Sequence, residues 1–289
     1  MTRDEIAILG VGMHPWGKWG RNFVEYGTAA AHDALDDAGV DWNDVDFVSG
    51  AVTVRCGYPG YVAGSTFGRA LGFTGAQVAS SYAACASGAT ALQVARGQIL
   101  SGAADVAIVV GADTTPKGFL APNEGDRPDD MDWLRFRLVG ATNPVYFGLH
   151  ARRRMDLYGA TSEDFARVKV KNSKHSVHNP KARFTKEYDL DDVANSPVVS
   201  DPLRLLDICA TSDGGAAIVV SSMEWARAHG HDDPVRVAGI STVLPTYPDT
   251  IIDLPYLATD SGSAGELPEL TFKKSIGAKA YEEAGLGPD

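Results

Sequence analysis

A strand-and-helix unit written twice, once near each end of the chain, limits the fold more than any other sequence feature. Val235-Arg236-Val237-Ala238-Gly239-Ile240 echoes the opening run Glu5 to Gly10, and Tyr281-Glu282-Glu283-Ala284-Gly285-Leu286 echoes Leu35-Asp36-Asp37-Ala38-Gly39-Val40. In each copy an apolar run reads as a strand, and a later helix is stopped by a glycine at its C-terminus. Repetition of one α/β unit predicts two related halves. The first occupies residues 1–230 and the second opens at 231–289. In the first copy the helix is followed by a strand from Val45 to Val52, whereas the sequence stops at Asp289 before any counterpart, so the second repeat reads as truncated.

From the first copy onward, strands at Glu5–Val11, Val45–Val52, Gln77–Ala84 and Val106–Gly111 alternate with helices at Tyr26–Ala38 and Ala86–Leu100. That alternation predicts an α/β protein with a largely parallel sheet. From Thr114 to about residue 200 it lapses. There follow an acidic loop from Glu124 to Asp132, helices at Tyr146–Tyr158 and Glu163–Ser176, and a polar loop at Asn179-Pro180. A stretch of this length between sheet strands reads as an insertion with its own function. The sheet resumes with a strand at Ala216–Ser221 and a helix at Met223–His229.

Composition excludes several roles. No apolar run approaches the roughly 18 residues of a membrane span, and Met1 to Glu5 lead straight into the strand Ile6 to Leu9 rather than a signal peptide. Cys56, Cys85 and Cys209 lie far apart without C-x-x-C spacing, which argues against disulfides and zinc and predicts a cytoplasmic protein. A net charge of -11 repels nucleic acid. One stretch runs the other way: His150 to Lys186 holds ten Lys or Arg, Arg152, Arg153 and Arg154 consecutively, against three acids. It reads either as a solvated helical face or as a landing surface for a polyphosphate ligand. Gly10-Val11-Gly12 has Pro15 where a dinucleotide loop needs its third glycine, and His175 and His178 have no third metal ligand.

Cys85 stands where the third strand, read as a buried one, meets the Ala/Gly-rich helix, in Tyr82-Ala83-Ala84-Cys85-Ala86-Ser87-Gly88-Ala89-Thr90-Ala91-Leu92. Helix N-termini offer free N–H groups and partial positive charge that stabilise a thiolate, while free cysteines are also commonly buried for packing. The residues alone leave both readings standing. Resemblance separates them. The Cys85 run, with Ala95-Arg96, Gly102-Ala103-Ala104-Asp105, Pro116-Lys117-Gly118, Met155 to Gly159, Lys174 to Pro180 and Thr211-Ser212-Asp213-Gly214-Gly215-Ala216-Ala217, resembles thiolases of the sterol-carrier-protein-x type over essentially the whole chain.

That resemblance implies a five-layered αβαβα fold of two repeats, an inserted domain that receives coenzyme A at about 114–200, and a homodimer. It implies that Cys85 takes the acyl group of a 3-oxoacyl-CoA of lipid or sterol-derived acids, with Arg152, Arg153, Arg154, Lys174 and Ser212 toward the coenzyme. The family's activating histidine and second cysteine belong to the second repeat, beyond the position matching Asp289. Where the family usually carries asparagines before the nucleophile, this chain has Tyr82-Ala83-Ala84. Some relatives are instead retro-aldolases on steroid-type acyl-CoA, working beside a zinc and OB-fold partner of the DUF35 type. A non-catalytic subunit that only binds acyl-CoA is the third reading.

Overall fold

The structure, a computed structural model, describes residues 5–53, 56–115, 143–243 and 271–287. The acidic loop from Glu124 to Asp132 and the Pro116-Lys117-Gly118 match lie outside the described residues. The chain divides into two compact units, residues 1–14, 19–114 and 213–289 in one and residues 15–18 and 115–212 in the other. Among the described residues, no helix is long and apolar enough to cross a membrane.

The first unit is built on a six-stranded sheet. In chain order its strands are β1 (Ile6–Met13), β2 (Phe47–Ala51), β3 (Gln77–Ser81), β4 (Val106–Asp113), β7 (Gly214–Ser222) and β8 (Val235–Arg236). They lie side by side as β3-β2-β4-β7-β1-β8. β2 runs parallel to both β3 and β4, but β7 is antiparallel to both β4 and β1, and β8 is antiparallel to β1. The sheet is therefore mixed, which corrects the largely parallel expectation. A parallel neighbour needs a helical crossover; the chain leaves β4 into the second unit and returns directly beside it as β7, so it comes back in the opposite sense.

Helices α1 (Phe23–Ala38) and α3 (Ala63–Leu71) share a core with one face of the sheet, and α4 (Ser87–Leu100) shares one with the other; a short helix α2 (Tyr58–Tyr61) precedes α3. Successive strand residues point to opposite faces. Val106, Ile108, Val110 and Ala112 of β4 thus meet the α1 side while Ala107 and Val109 meet the α4 side. Coverage on both faces is why β4 reads as an unbroken apolar run. On α4 the buried positions are Ser87, Ala91, Ala95 and Ile99, one narrow stripe at four-residue spacing.

Helix α1 begins one turn earlier than its pattern predicts, because the Asn22 side chain accepts the Glu25 N–H at 3.1 Å as an N-cap. It ends as expected. Gly39 takes φ +63, its N–H bonds Asp36 O, and the Val40 N–H bonds Leu35 O. Along its length α1 lies almost on the sheet backbone. A Cβ added to Gly12 would sit 2.0 Å from Ala30 O and 2.5 Å from Ala34 N, and one on Gly10 would sit 2.5 Å from Ala34 O.

The second unit holds helices α5 (Asn143–Tyr158), α6 (Ser162–Ser176) and α7 (Leu190–Ala194), with a small antiparallel ladder of β5 (Val198–Ser200) and β6 (Leu203–Arg204). A capping box opens α6, Thr161 and Asp164 each accepting the other's backbone N–H. Buried Ser173 of α6 accepts the Tyr188 N–H at 3.0 Å and donates to Val170 O, tying the 188 segment to the helix.

Back in the first unit, the short helix α8 (Met223–Ala228) follows β7 directly, capped by the Ser222 hydroxyl, and the repeat seen in the sequence then recurs in contacts. Helix α9 (Thr271–Ala284) ends at Gly285, φ +65, with Gly285 N–H to Glu282 O and Leu286 N–H to Tyr281 O. Gly239 stands to Ala280 and Ala284 as Gly10 does to Ala34 and Ala38, its added Cβ lying 2.5 Å from Ala280 O. The Ile240 N–H donates to Glu283 Oε2 at 3.0 Å, as the Val11 N–H donates to Asp37 Oδ2 at 2.9 Å.

The contact between α1 and the sheet generates a paired prediction. Gly12→Ala drives a methyl into α1 backbone and should destabilise this chain by at least about 1–3 kcal/mol. Gly97→Ala, inside α4 with nothing within 4 Å of its added Cβ, should stabilise it by about 0.5–1 kcal/mol. Urea denaturation of the two variants checks both signs.

Candidate functional site

The carboxyl ends of the three parallel strands lie side by side: Ala51, the last residue of β2, faces Ser81, the last of β3, and Gly111, two residues before the end of β4. Chain segments leaving this edge hold the candidate residues, a common location for sites in sheets with parallel strands. From β2 come Val52 and Thr53, from β3 the run Tyr82 to Cys85, and from β4 Asp113. Asp113 binds the β2 exit, accepting from the Thr53 N–H at 3.0 Å and from the Thr53 hydroxyl.

Cys85 occupies a single 3₁₀ turn, Ala84–Ala86, immediately ahead of α4. It is exposed, so packing does not account for it. Two expectations need correction. β3 stops at Ser81 rather than Ala84, and it is an outer strand with Gln77, Val78 and Ser80 exposed rather than a buried one. The turn is reached because Ala84 adopts φ +46, a left-handed conformation costing a residue with a Cβ about 1–2 kcal/mol. No side chain caps α4 at Ala86. The Ser87 N–H is taken by Ala84 O within the 3₁₀ turn, and the N–H groups that follow it in the first turn of α4 meet no capping side chain.

Ser87, the first residue of α4, carries little sequence signal beyond small size and a C-x-S spacing. It is 0% exposed, and its hydroxyl oxygen accepts the Ala83 N–H at 2.9 Å while lying 2.8 Å from Val52 O and 2.7 Å from Ala84 O. Beside the turn, the Tyr82 ring stands 5.7 Å from that of Tyr61, both partly exposed. Cys56 differs from Cys85 in being half-buried, and that burial pushes its thiol up despite a hydrogen bond from the Thr114 backbone.

In the second unit the expected coenzyme residues stand on separate elements. Arg152, Arg153 and Arg154 are consecutive on α5, where each step turns about 100° around the axis. Arg152 pairs with Asp201, Arg153 is half-buried, and Arg154 lies over the Tyr158 ring at 5.5 Å. Lys174 is exposed in the last turn of α6, and Ser212 donates to Ala210 O while its own carbonyl accepts from the Thr115 hydroxyl.

This unit also contains a cavity of about 450 Å³. Its apolar wall includes Phe165, Val168, Leu203 and Leu206, and Lys169 and Arg183 bring positive charge to it. Burial pulls the Lys169 ammonium down from the usual lysine range, and it lies 3.8 Å from the Phe184 ring centre and 4.9 Å from that of Tyr188. Asp207 also lines the cavity, and its buried Oδ1 has no hydrogen-bond partner among the described residues. In the sequence, the signal for this cavity is the interleaving of Lys169, Arg183 and Lys186 with Phe184 and Tyr188, which separates these cations from a plain charged face. Among the described residues, no three His, Cys, Asp or Glu are grouped to hold a metal.

Comparison with known proteins gives these features a setting. Residues 6–224 match the family described as Thiolase, N-terminal domain. Sterol carrier protein 2 of Gallus gallus is 32% identical over 305 residues, covering 100% of this chain and 52% of that protein. The benzoylsuccinyl-CoA thiolase subunit BbsB of Thauera aromatica is 31% identical over 287 residues, covering 99% of this chain and 69% of that subunit. Among solved structures, the Ltp2-ChsH2(DUF35) aldolase superposes with a TM-score of 0.76 at 28% identity, covering 100% of this chain and 72% of that one. The chain spans about half the length of the sterol carrier proteins it matches.

Exposure and thiol environment together predict an order of reactivity. Because the thiolate is the reacting species, Cys56, half-buried with its pKa raised, should be alkylated more than about tenfold more slowly than Cys85. Time-resolved iodoacetamide labelling with peptide mass mapping at neutral pH measures both rates.

Proposed function

This chain belongs to the thiolase family, and from that premise we propose that it carries the nucleophile half of an acyltransferase acting on 3-oxoacyl-CoA esters of lipid or sterol-derived acids. The observation that carries this reading is the exposed Cys85, set on a strained turn at the carboxyl edge of the parallel strands and directly ahead of an uncapped helix. In the proposed step the Cys85 sulfur attacks the 3-keto carbon and the bond between C2 and C3 breaks. The acyl group stays on sulfur as a thioester, and the shorter acyl-CoA departs after protonation at C2. Coenzyme A then attacks the thioester, releasing the acyl group and restoring the thiol. Covalent catalysis of this kind splits one difficult step into two.

For the coenzyme we place its phosphates first at Lys169 and Arg183 beside the apolar cavity, where charge and apolar wall meet. Lys174 on the same helix as Lys169, Arg152, Arg153 and Arg154 on α5, and Ser212, three residues past Cys209 of the cavity wall, act as outer contacts. The lowered Lys169 pKa means this attraction for anions should fade at a lower alkaline pH than an exposed lysine would allow.

A second reading has its own support. The solved structure of the Ltp2-ChsH2(DUF35) aldolase covers the whole chain, which favours retro-aldol cleavage beside a zinc and OB-fold partner. Retention of Cys85 weighs toward thiolysis, and a non-catalytic acyl-CoA-binding subunit is the remaining option. We also propose a homodimer formed across β3. Its outer edge has no strand neighbour among the described residues, Val78 is exposed on it, and Phe73 just before it is 89% exposed. Unpaired edges of this kind are templates for another chain. Free cysteines alone favour a cytoplasmic setting.

Two measurements separate these possibilities. In the native protein Cys85→Ala should lower thiolysis of a 3-oxoacyl-CoA by at least about a thousandfold, and an acyl adduct on Cys85 should appear by mass mapping; carbon–carbon cleavage undiminished in the variant would favour the aldolase. For the coenzyme, the double variant Lys169→Gln/Arg183→Gln should raise the dissociation constant of CoA about tenfold and flatten its salt dependence. Unchanged calorimetric titrations would reduce both cations to a structural role.

A further inference from the structure

We propose that Ser87 is a positioning residue that holds the Cys85 turn, an inference that rests on reading Cys85 as the nucleophile. A backbone turn through a left-handed alanine is not self-sustaining, because a residue with a Cβ relaxes toward ordinary φ unless its surroundings over-determine it. Ala84 is such a residue and directly precedes Cys85. Ser87 supplies the constraint. Its oxygen takes the Ala83 N–H on one side of Ala84, and its proton is shared between Ala84 O and Val52 O. One buried hydroxyl thus joins the residue before the strained position, the strained residue itself and the exit of the neighbouring parallel strand.

Two details separate this from ordinary helix capping. The oxygen accepts an N–H that lies before the helix rather than one from its first turn. Its bond to Val52 crosses to the residue directly after β2, so the position of the thiol is referred to the scaffold rather than to α4 alone. Ser87 itself is fully buried and does not share the exposed surface of Cys85. Its effect on reaction passes through the geometry of the turn.

The test is Ser87→Ala, read by the iodoacetamide rate of Cys85 relative to exposed Cys209 in the same molecule, which cancels differences in sample quality. We expect that ratio to change at least about fivefold, and in the native enzyme kcat for a 3-oxoacyl-CoA to fall about thirtyfold with KM within about threefold. Adding Ala84→Gly to Ser87→Ala should recover much of the loss, since glycine holds a positive φ without strain, and Ser87→Thr, which keeps the oxygen, should restore the ratio. A Ser87→Ala protein that folds with the ratio and kcat unchanged overturns the proposal. Should that variant not fold, hydrogen exchange on the unmodified protein decides: the Ala83 amide should be protected well beyond its exposed neighbours, and exchange at their rate would overturn it. Cys85→Ala, run alongside, reports separately on the nucleophile. Retained turnover there would remove the catalytic reading while the labelling ratio still measures whether Ser87 sets the turn.

Discussion

Backbone-to-backbone contact between α1 and the sheet is the constraint on which the first unit depends. Gly10 and Gly12 of β1, with Gly215 of β7, leave no side chain between strand and helix, and a Cβ added at any of them falls within 2.7 Å of an α1 backbone atom. Such proximity brings Ala30, Ala34 and Ala38 against the strands. Val106, Ile108 and Val110 of β4 share this core with Tyr26 and Phe67, both fully buried. Packing this tight transmits strain rather than absorbing it. The sheet beneath α1 is consequently a rigid reference for the segments that leave its carboxyl edge.

The same device is used again where the chain repeats. Gly239 meets Ala280 as Gly10 meets Ala34, and a carboxylate near the helix end accepts a backbone N–H in both copies, Asp37 for Val11 of β1 and Glu283 for Ile240, four residues past β8. A small-residue contact and a charge-assisted hydrogen bond together fix the spacing and the rotation of helix on strand. Recurrence of the pattern within one chain is therefore a matter of geometry: each substitution of glycine would have to be matched by withdrawal of a helix.

Much of this is legible in the sequence. Gly39 after Ala38 marks the end of α1, the run from Val106 marks a strand covered on both faces, and Tyr281 to Leu286 mark a second copy of the first helix end. What the sequence does not display is decided by tertiary contacts. The direction of β7 depends on where the chain re-enters the sheet, which no local pattern records. Presentation of Cys85 depends on Ala84 turning left-handed, and alanine gives no hint of that. Ser87 looks like any small residue until Ala83, Ala84 and Val52 are placed around it. Three consecutive arginines are conspicuous in sequence, yet on a helix they point apart, while Lys169 and Arg183, well separated in the chain, line one cavity.

The insertion between β4 and β7 has a structural consequence of its own. Those strands pair to their ends, Asp113 opposite Gly214, so the sheet sees only a hairpin, whatever length of chain its tip contains. Closing a longer tip adds entropy cost only logarithmically, and the ladder fixes the two stems independently of what they carry. The hairpin is in effect a socket. Segments of different size and chemistry can be exchanged between the two stems while the strand register, and with it the thiol-bearing edge, stays unchanged.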